Sequence, residues 1–413
     1  MNKHGSLAIG LLLLLVLTAL AAALLLRGVS ENALANRFAN STQAFWAAEA
    51  GVQKTIWEIN HNNCADFVQE GTSTACASCT SCGSGNKTMA VSISGSCDYD
   101  VVMNNANTTA TSTGACPNRN SSSVIKRSVQ ATIGPTSPFQ YAAFSQGAVT
   151  LSNNTFIDSY NSNNGAYSVD NSDTNGDIGS NGTTAGIISI GNNISLGGDV
   201  STGTGGTVTV GNNSTITGTT TITNDVPLPA VTVPSALTGL SSGGTYSVAE
   251  NGSATLTTGD YKYTSISMNN NATLNITSGN VRIYLTGTEA FSAGNNVNVT
   301  IASGATLQVF VDGVLDVGNN VTLSSSGDVP KNIQIYSTYT GSNGISIGNN
   351  GVLAAAVYAP GTDVSIGNNG DLFGSVIGKT VTVNNNAAIH YDESLSNLTT
   401  VAGPTDVTVW QEI

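Results

Sequence analysis

An asparagine pair recurs through the last two-thirds of the chain, each time after a short alternating strand pattern and a Gly or Ser. The pairs are Asn153-Asn154, Asn163-Asn164, Asn192-Asn193, Asn212-Asn213, Asn295-Asn296, Asn319-Asn320, Asn349-Asn350 and Asn368-Asn369, with triplets at 269–271 and 384–386. Many intervals fall near roughly 17–25 residues, a period that indicates stacked coils. One coil cannot bury its apolar face alone, whereas a stack makes a continuous core. The clearest repeat aligns residues 353–369 with 372–385. Leu353 then matches Leu372, Val357 matches Val376, Val364 matches Val381 and Ile366 matches Val383. Apolar residues alternate inward and Thr or Ser outward. Asn suits the corners because it tolerates the left-handed backbone region, and stacked Asn side chains hydrogen-bond from coil to coil. The neighbouring Gly is expected to supply the remaining positive-φ position. Residues 139–395 therefore read as an Asn/Gly-rich parallel β-helix, since a sandwich joins its strands by varied loops. Asp225-Val-Pro-Leu-Pro-Ala-Val-Thr-Val-Pro234 breaks the pattern. Its prolines favour an extended crossing over 225–240 between two solenoid portions. Residues 396–413, with Trp410, are expected to cap one end.

Charged residues make up 9% of the 413-residue chain, against 40% apolar residues. Regular alternation of apolar and polar positions favours a folded all-β body over a disordered tail. The net charge is −13 and no stretch clusters Lys or Arg, so nucleic acid is not an expected partner.

The chain begins differently. Residues 6–26 are uncharged and mostly Leu and Ala, and a helix of that length spans about 30 Å, the thickness of a bilayer core. A secretory signal has a shorter apolar region with a small-residue site after it; here the small residues 19–23 lie inside the run. Lys3, His4 and Arg27 flank the span. No Pro interrupts residues 27–59, and Leu34, Phe38, Phe45, Val52 and Ile56 recur at helical spacing. Gly28 and Gly51 are weak interruptions. The apolar stripe packs either on its own domain or on kindred helices in a filament.

All six cysteines, Cys64, Cys76, Cys79, Cys82, Cys97 and Cys116, fall between 64 and 116. An even number in a short exported segment reads as a disulfide framework, with fifteen pairings open. The two-residue spacing of Cys76, Cys79 and Cys82 also suits zinc or an iron–sulfur cluster. Residues 89–94, 99–103 and 124–133 read as strands, so residues 61–138 form a small stapled β unit.

A short basic leader ending at Gly5, the immediate apolar helix and Gln43-Ala-Phe-Trp-Ala-Ala-Glu-Ala-Gly51 resemble the N-terminus of PilX-type minor type IV pilins over about residues 1–60. The resemblance implies a leader at 1–5, cut by a prepilin peptidase between Gly5 and Ser6, and a pilin-like helix over 6–60. It also implies an inner-membrane precursor, partners among other pilins and the assembly machinery, and a final place on the pilus or cell surface. Most major pilins carry Glu at the fifth mature position, which here is Gly10. Ala143-Phe-Ser-Gln-Gly147, Asn175-Gly-Asp-Ile-Gly-Ser-Asn-Gly182, Val357-Tyr-Ala-Pro360 and Ile389-His-Tyr-Asp-Glu393 are similar to a C-terminal domain of unknown function found in such pilus proteins.

Little chemistry is expected. Enzymes built on β-helices need clustered carboxylates, with or without Lys or Arg. The densest group here is His390, Asp392 and Glu393, read as a polar cap at the end of the last coil. Asp170, Asp173, Asn175 and Asp177 place oxygen atoms at alternate positions like the start of a calcium loop, but Ile178 stands where that loop needs Gly and Thr184 where it needs Glu. Beyond that calcium reading no cofactor is expected. The expected function is a non-catalytic minor pilin; an adhesin for a glycan or another cell, or a secretion pseudopilin, are the alternatives.

Overall fold

The computed structural model describes residues 3–79, 82–83, 85–93, 97–223, 225–398 and 405–413. Two compact units emerge: Met1–Gly134 with Thr405–Ile413, and Pro135–Pro404.

In the first unit a single α-helix runs Lys3–Trp57 and ends in a π-turn at Glu58–Asn62. Leu and Ala dominate its first half, and no Pro breaks the hydrogen-bond ladder. The helix changes character along its length. Leu14, Leu25, Leu34 and Phe38 are exposed, whereas Ala44, Ala48 and Val52 are buried. The buried turns lie on a six-stranded sheet in the order Val68–Gln69, Lys87–Ile93, Cys97–Met103, Thr109–Cys116, Ile125–Pro135, Thr405–Glu412. Contact with Thr109–Cys116 is unusually close. A Cβ on Gly114 would stand 1.9 Å from the Ala44 carbonyl oxygen, and one on Gly51 would stand 2.2 Å from Ser112 Oγ. Gly51 is thus a docking point, not an interruption, because only a bare backbone fits there.

Two expectations about boundaries change. The strands of 61–138 are not a unit apart from the helix, since Ala48, Val52, Met103, Ala110 and Val129 share one core. Nor does the C-terminal end cap the solenoid as expected of 396–413, of which 399–404 lie outside the described residues. Thr405–Glu412 lies beside Ile125–Pro135 in the six-stranded sheet, with Ile413 N donating to Ser128 O at 3.0 Å. Trp410 meets the edge of Phe45 at 5.8 Å. The whole second unit is therefore an insertion between two neighbouring strands of the first.

The second unit is a parallel β-helix, as the repeat indicated. The coils pair in parallel with their neighbours along the stack; only the short strand Ser172–Asp173 pairs antiparallel, against Phe156–Tyr160, among the described residues. Leu353 pairs with Leu372, Val357 with Val376, Val364 with Val381 and Ile366 with Val383, the four matches read from the repeat. Inward residues such as Ile266, Ile283, Val309, Ile335, Val357 and Val376 form one continuous core.

The order of the coils is not the order of the chain. On one face the stack runs Thr245–Val248, Ser265–Met268, Glu289–Ala293, Val314–Val317, Ile345–Ile347. It continues through the ends of Val352–Ile366 and Asp371–Val383. The next rung is Val149–Leu151, followed by Ile188–Ile190 and Val208–Val210. The first coil of the unit thus pairs with the last one, at a seam inside the stack. From that seam the chain winds to one end, crosses back, and winds up from the other end to close on its own beginning. The two portions expected on either side of the crossing are one stack.

Residues 225–240 make the return journey. Outward-facing Tyr284, Phe310, Tyr336, Tyr358, Ile377 and Phe144 follow one another on consecutive coils. Val226, Leu228, Val231, Val233, Leu237 and Leu240 cover that column. Asn181 holds Val226 near one end, donating to its carbonyl at 2.7 Å and accepting from its N–H at 2.8 Å. Tyr358 Oη donates to Pro229 O at 2.7 Å, and Lys262 Nζ donates to Thr238 O at 2.7 Å near the other end. The prolines suit residues 225–234, which follow the side of the stack extended, because a proline has no N–H that needs a partner. The crossing is not extended throughout as expected, since it ends in a helical turn at Ser235–Thr238.

The corners carry two ladders. The second Asn of each corner is left-handed: Asn154, Asn193, Asn213, Asn271, Asn296, Asn320, Asn350, Asn369 and Asn386 have φ between 53° and 59°. Their side chains pass hydrogen bonds along the stack, as from Asn369 to Asn350 at 3.1 Å and from Asn350 to Asn320 at 3.0 Å. The first Asn accepts from the backbone of the next coil, as Asn349 Oδ1 does from Asn368 N at 2.9 Å. The ladder crosses the seam, with Asn154 donating to Asn386 at 3.0 Å. Asn251 joins it although Glu250 precedes it, and Asn163-Asn164 does not, lying in the turn Ser162–Asn164. The neighbouring glycines have a different reason from the one expected. Gly211, Gly348 and Gly367 do not have positive φ. A Cβ on any of them would fall within 2.6 Å of the adjacent coil's backbone, so close stacking excludes side chains there.

These roles separate by mutation. Asn350→Ala meets the left-handed penalty and loses the ladder bonds, and should cost about 1–2 kcal/mol in denaturant unfolding. Asn350→Gly keeps φ free and should cost less.

Candidate functional site

The backbone of Gly5, Ser6 and Gly10, and of Lys3 and His4 before them, lies within the helix Lys3–Trp57; Met1 and Asn2, the first two residues of the expected leader, are outside the described residues. The helix is long and apolar enough to cross a membrane, with an 18-residue window of mean hydropathy 2.2, none of it buried. Arg27 and Glu31, one turn apart, pair at 2.8 Å in the exposed region that follows the apolar run. Of the helical stripe, Val52 is buried and Phe45 and Ile56 pack partly against the sheet, while Leu34 and Phe38 touch no part of the core.

The cysteines form three bridges: Cys64–Cys79, Cys76–Cys82 and Cys97–Cys116. The first two interlock around the loop that follows the helix, and the third joins the strands Cys97–Met103 and Thr109–Cys116. Cys76, Cys79 and Cys82 therefore present no thiolates to a metal, and cystine sulfur is a poor ligand. Nearby, Arg119 pairs with Asp98 at 3.0 Å and also reaches Asp100. Its bonds hold the Asp98 carboxyl below the usual range.

His390, Asp392 and Glu393 lie at the seam, not at an end of the stack. His390 pairs in register with Asp158 across it, Nδ1 to Oδ1 at 2.6 Å, both largely buried. Tyr167 Oη donates to the other oxygen of Asp158 at 2.8 Å, and the His390 ring stacks on Phe373 at 4.8 Å. Asp392 is fully buried and accepts from Ser162 N, Ser394 N and Ser394 Oγ. Glu393 accepts from Ser159 Oγ at 2.8 Å and Asn175 Nδ2 at 2.9 Å. Each carboxylate is thus bonded to residues more than 200 positions away in sequence, and the group clips the first coil to the last. Asp158 carried no local signal, because its partner His390 lies 232 positions away in the chain.

The proposed calcium ligands do not converge. Asp170 and Asp173 line an open cleft with Tyr160 and Glu393. Asn175 turns to Glu393, and Asp177 accepts from Asp199 N at 2.7 Å on the next coil. Among the described residues no three His, Cys, Asp or Glu side chains gather as a metal site. Asp177 instead repeats on a second corner what the Asn ladder does on the first, and Asp199 continues it by accepting from Thr219 N at 2.6 Å. Burial, together with the Asp199 charge, pushes the Asp177 carboxyl above its usual range.

The architecture defines a class: an α+β unit with a long apolar helix, interrupted by a β-solenoid. Residues 212–398 match a domain of unknown function, DUF7305. No curated protein matches the sequence. Among solved structures, the chain is similar to the competence-associated pilin ComZ from Thermus thermophilus at 12% identity and a TM-score of 0.23, over 90% of this chain and 97% of that one. A likeness at that TM-score does not bear on function.

The raised Asp177 gives a signed pH effect. A carboxyl with a higher pKa folded than unfolded favours folding below the unfolded value, near 4, and that gain is lost as pH rises through the folded value. Asp177→Asn keeps the acceptor for Asp199 N and removes the charge. Unfolding midpoints measured from pH 3 to pH 8 should show the variant gaining on the parent as pH rises.

Proposed function

We propose that the chain is a non-catalytic subunit of a type IV pilus-like filament, held by its N-terminal helix and carrying the solenoid outward. One observation carries this reading: the helix is apolar and bare from Leu13 to Leu26, with Leu34 and Phe38 exposed beyond, yet docked through Ala44, Ala48 and Val52 on its own sheet. Bare Leu-rich helix surface is costly in water, so lipid or neighbouring helices must cover it. The resemblance of residues 1–60 to PilX-type minor pilins supports the second arrangement after the first.

In this reading prepilin peptidase cuts between Gly5 and Ser6, and Ser6 becomes the N-terminus in the membrane. Gly10 stands where most major pilins place the Glu that neutralises a neighbour's terminal amine. An unpaired charge in hydrocarbon is expensive, so a subunit without that Glu suits a rare position better than the repeating shaft. Display of a glycan- or cell-binding surface is the second reading, favoured by the way the solenoid interrupts the first unit between two strands as a self-contained body.

N-terminal sequencing of protein from sheared filaments tests the proposal. A mature chain starting at Ser6 is expected in the filament fraction; an uncut chain confined to the membrane would remove the filament role. Gly10→Glu should raise the amount recovered per filament.

A further inference from the structure

On the side of the solenoid, three consecutive coils present a polar groove. Its floor is a column of outward side chains in register, Asp260, Arg282 and Gln308. Thr258, Asn280 and Thr306 flank it at the corner. The next coil closes the groove: Gln308 Nε2 donates to Gln334 Oε1 at 2.9 Å, and Gln334 Nε2 donates to Lys331 O in the turn Pro330–Asn332 at 3.0 Å. None of these groups is needed for the core, which faces the other way.

We infer that this groove binds a neutral oligosaccharide along the axis of the stack. Three features select that class. The lining is made of hydroxyl, amide, carboxylate and guanidinium groups, with no apolar side chain to seat a peptide anchor. Arg282 is bound through Nε and Nη2 to both oxygens of Asp260, at 2.7 and 2.5 Å. That pair is internally neutral, so an anionic ligand would have to break it to gain a cation. The pair is also preorganised, since the guanidinium holds the Asp260 carboxyl ionised, below its usual range. Its remaining lone pairs and N–H groups, with the amides of Asn280, whose Oδ1 accepts from Thr306 Oγ1 at 2.9 Å, and of Gln308, offer acceptors and donors that match vicinal hydroxyls. Coils spaced about 4.8 Å apart repeat these groups at intervals close to the length of one pyranose ring.

The inference deepens the display reading and does not depend on filament assembly, so it is tested on the purified full chain in detergent. The probes are linear neutral oligosaccharides of the cello-, chito-, malto- and galacto-series, with oligogalacturonate as the acidic comparison, measured by titration calorimetry. Saturable binding of at least one neutral series is expected, weakened at least 10-fold by Arg282→Ala and by Gln308→Ala. The second variant leaves the ion pair intact and so separates lost contacts from lost fold. A change on the opposite ladder, Asn350→Gly, should leave affinity unchanged. Binding of no neutral series, tighter binding of the acidic probe, or equal binding by parent and Gln308→Ala would each overturn it. Loss of filament incorporation with binding retained would instead count against the filament reading alone.

Discussion

The second unit rests on one act of pairing: the strand Ala143–Ser145 takes its place beside residues 376–378, with Val376 against Ala143 and Gly378 against Ser145. Until these rungs meet, the chain has two shorter stacks, each with an open edge that exposes unpaired backbone groups and apolar side chains. Once they meet, the core and the asparagine ladder run across the join without interruption. The seam is where the unit concentrates its buried polar groups. His390 against Asp158, Asp392 against Ser162 and Ser394, and Glu393 against Ser159 and Asn175 all bridge remote parts of the chain. Buried carboxylates are tolerated only when their partners are in place. These contacts therefore favour the single register that satisfies every one of them.

The same pairing explains how a solenoid sits inside another fold. An ordinary stack starts at one end and finishes at the other, which would place the two connections many coils apart. Here the incoming and outgoing segments occupy adjacent coils. Tyr391 Oη donates to Phe139 O at 2.8 Å, and Ser137 Oγ donates to Leu395 O at 2.6 Å. Two ends so close fit between Ile125–Pro135 and Thr405–Glu412, which are neighbours in one sheet. The cost is the long return over 225–240, and the aromatic column from Tyr284 to Phe144 supplies the apolar surface that holds it.

Local pattern made much of this legible. Alternating apolar residues and asparagine corners set the coil, its register and its inward face, because each is decided within about twenty residues. The helix was legible for the same reason. What escaped was decided by distant partners. The strand Thr109–Cys116 is not among the expected strands; its Ala110, Ser112 and Gly114 are small because the helix lies against them. The tail at 405–413 looks like a cap until its pairing partner near Ser128 is known. The glycines beside the Asn pairs have an ordinary backbone angle, and only the neighbouring coil explains them. Of the candidate site, the bare helix face could be read from sequence, whereas the disulfide pairing and the Asp158–His390 clip could not.

Where the chain enters and leaves the solenoid has a mechanical meaning. A tensile load carried through the two connections arrives at an interior seam, flanked by coils on both sides, and not at a frayed terminus. The load then falls first on the rungs that join Ala143–Ser145, Val149–Leu151 and Phe156–Tyr160 to the last coil. A body attached in this way resists tugging more than its modest per-rung hydrogen bonding would imply.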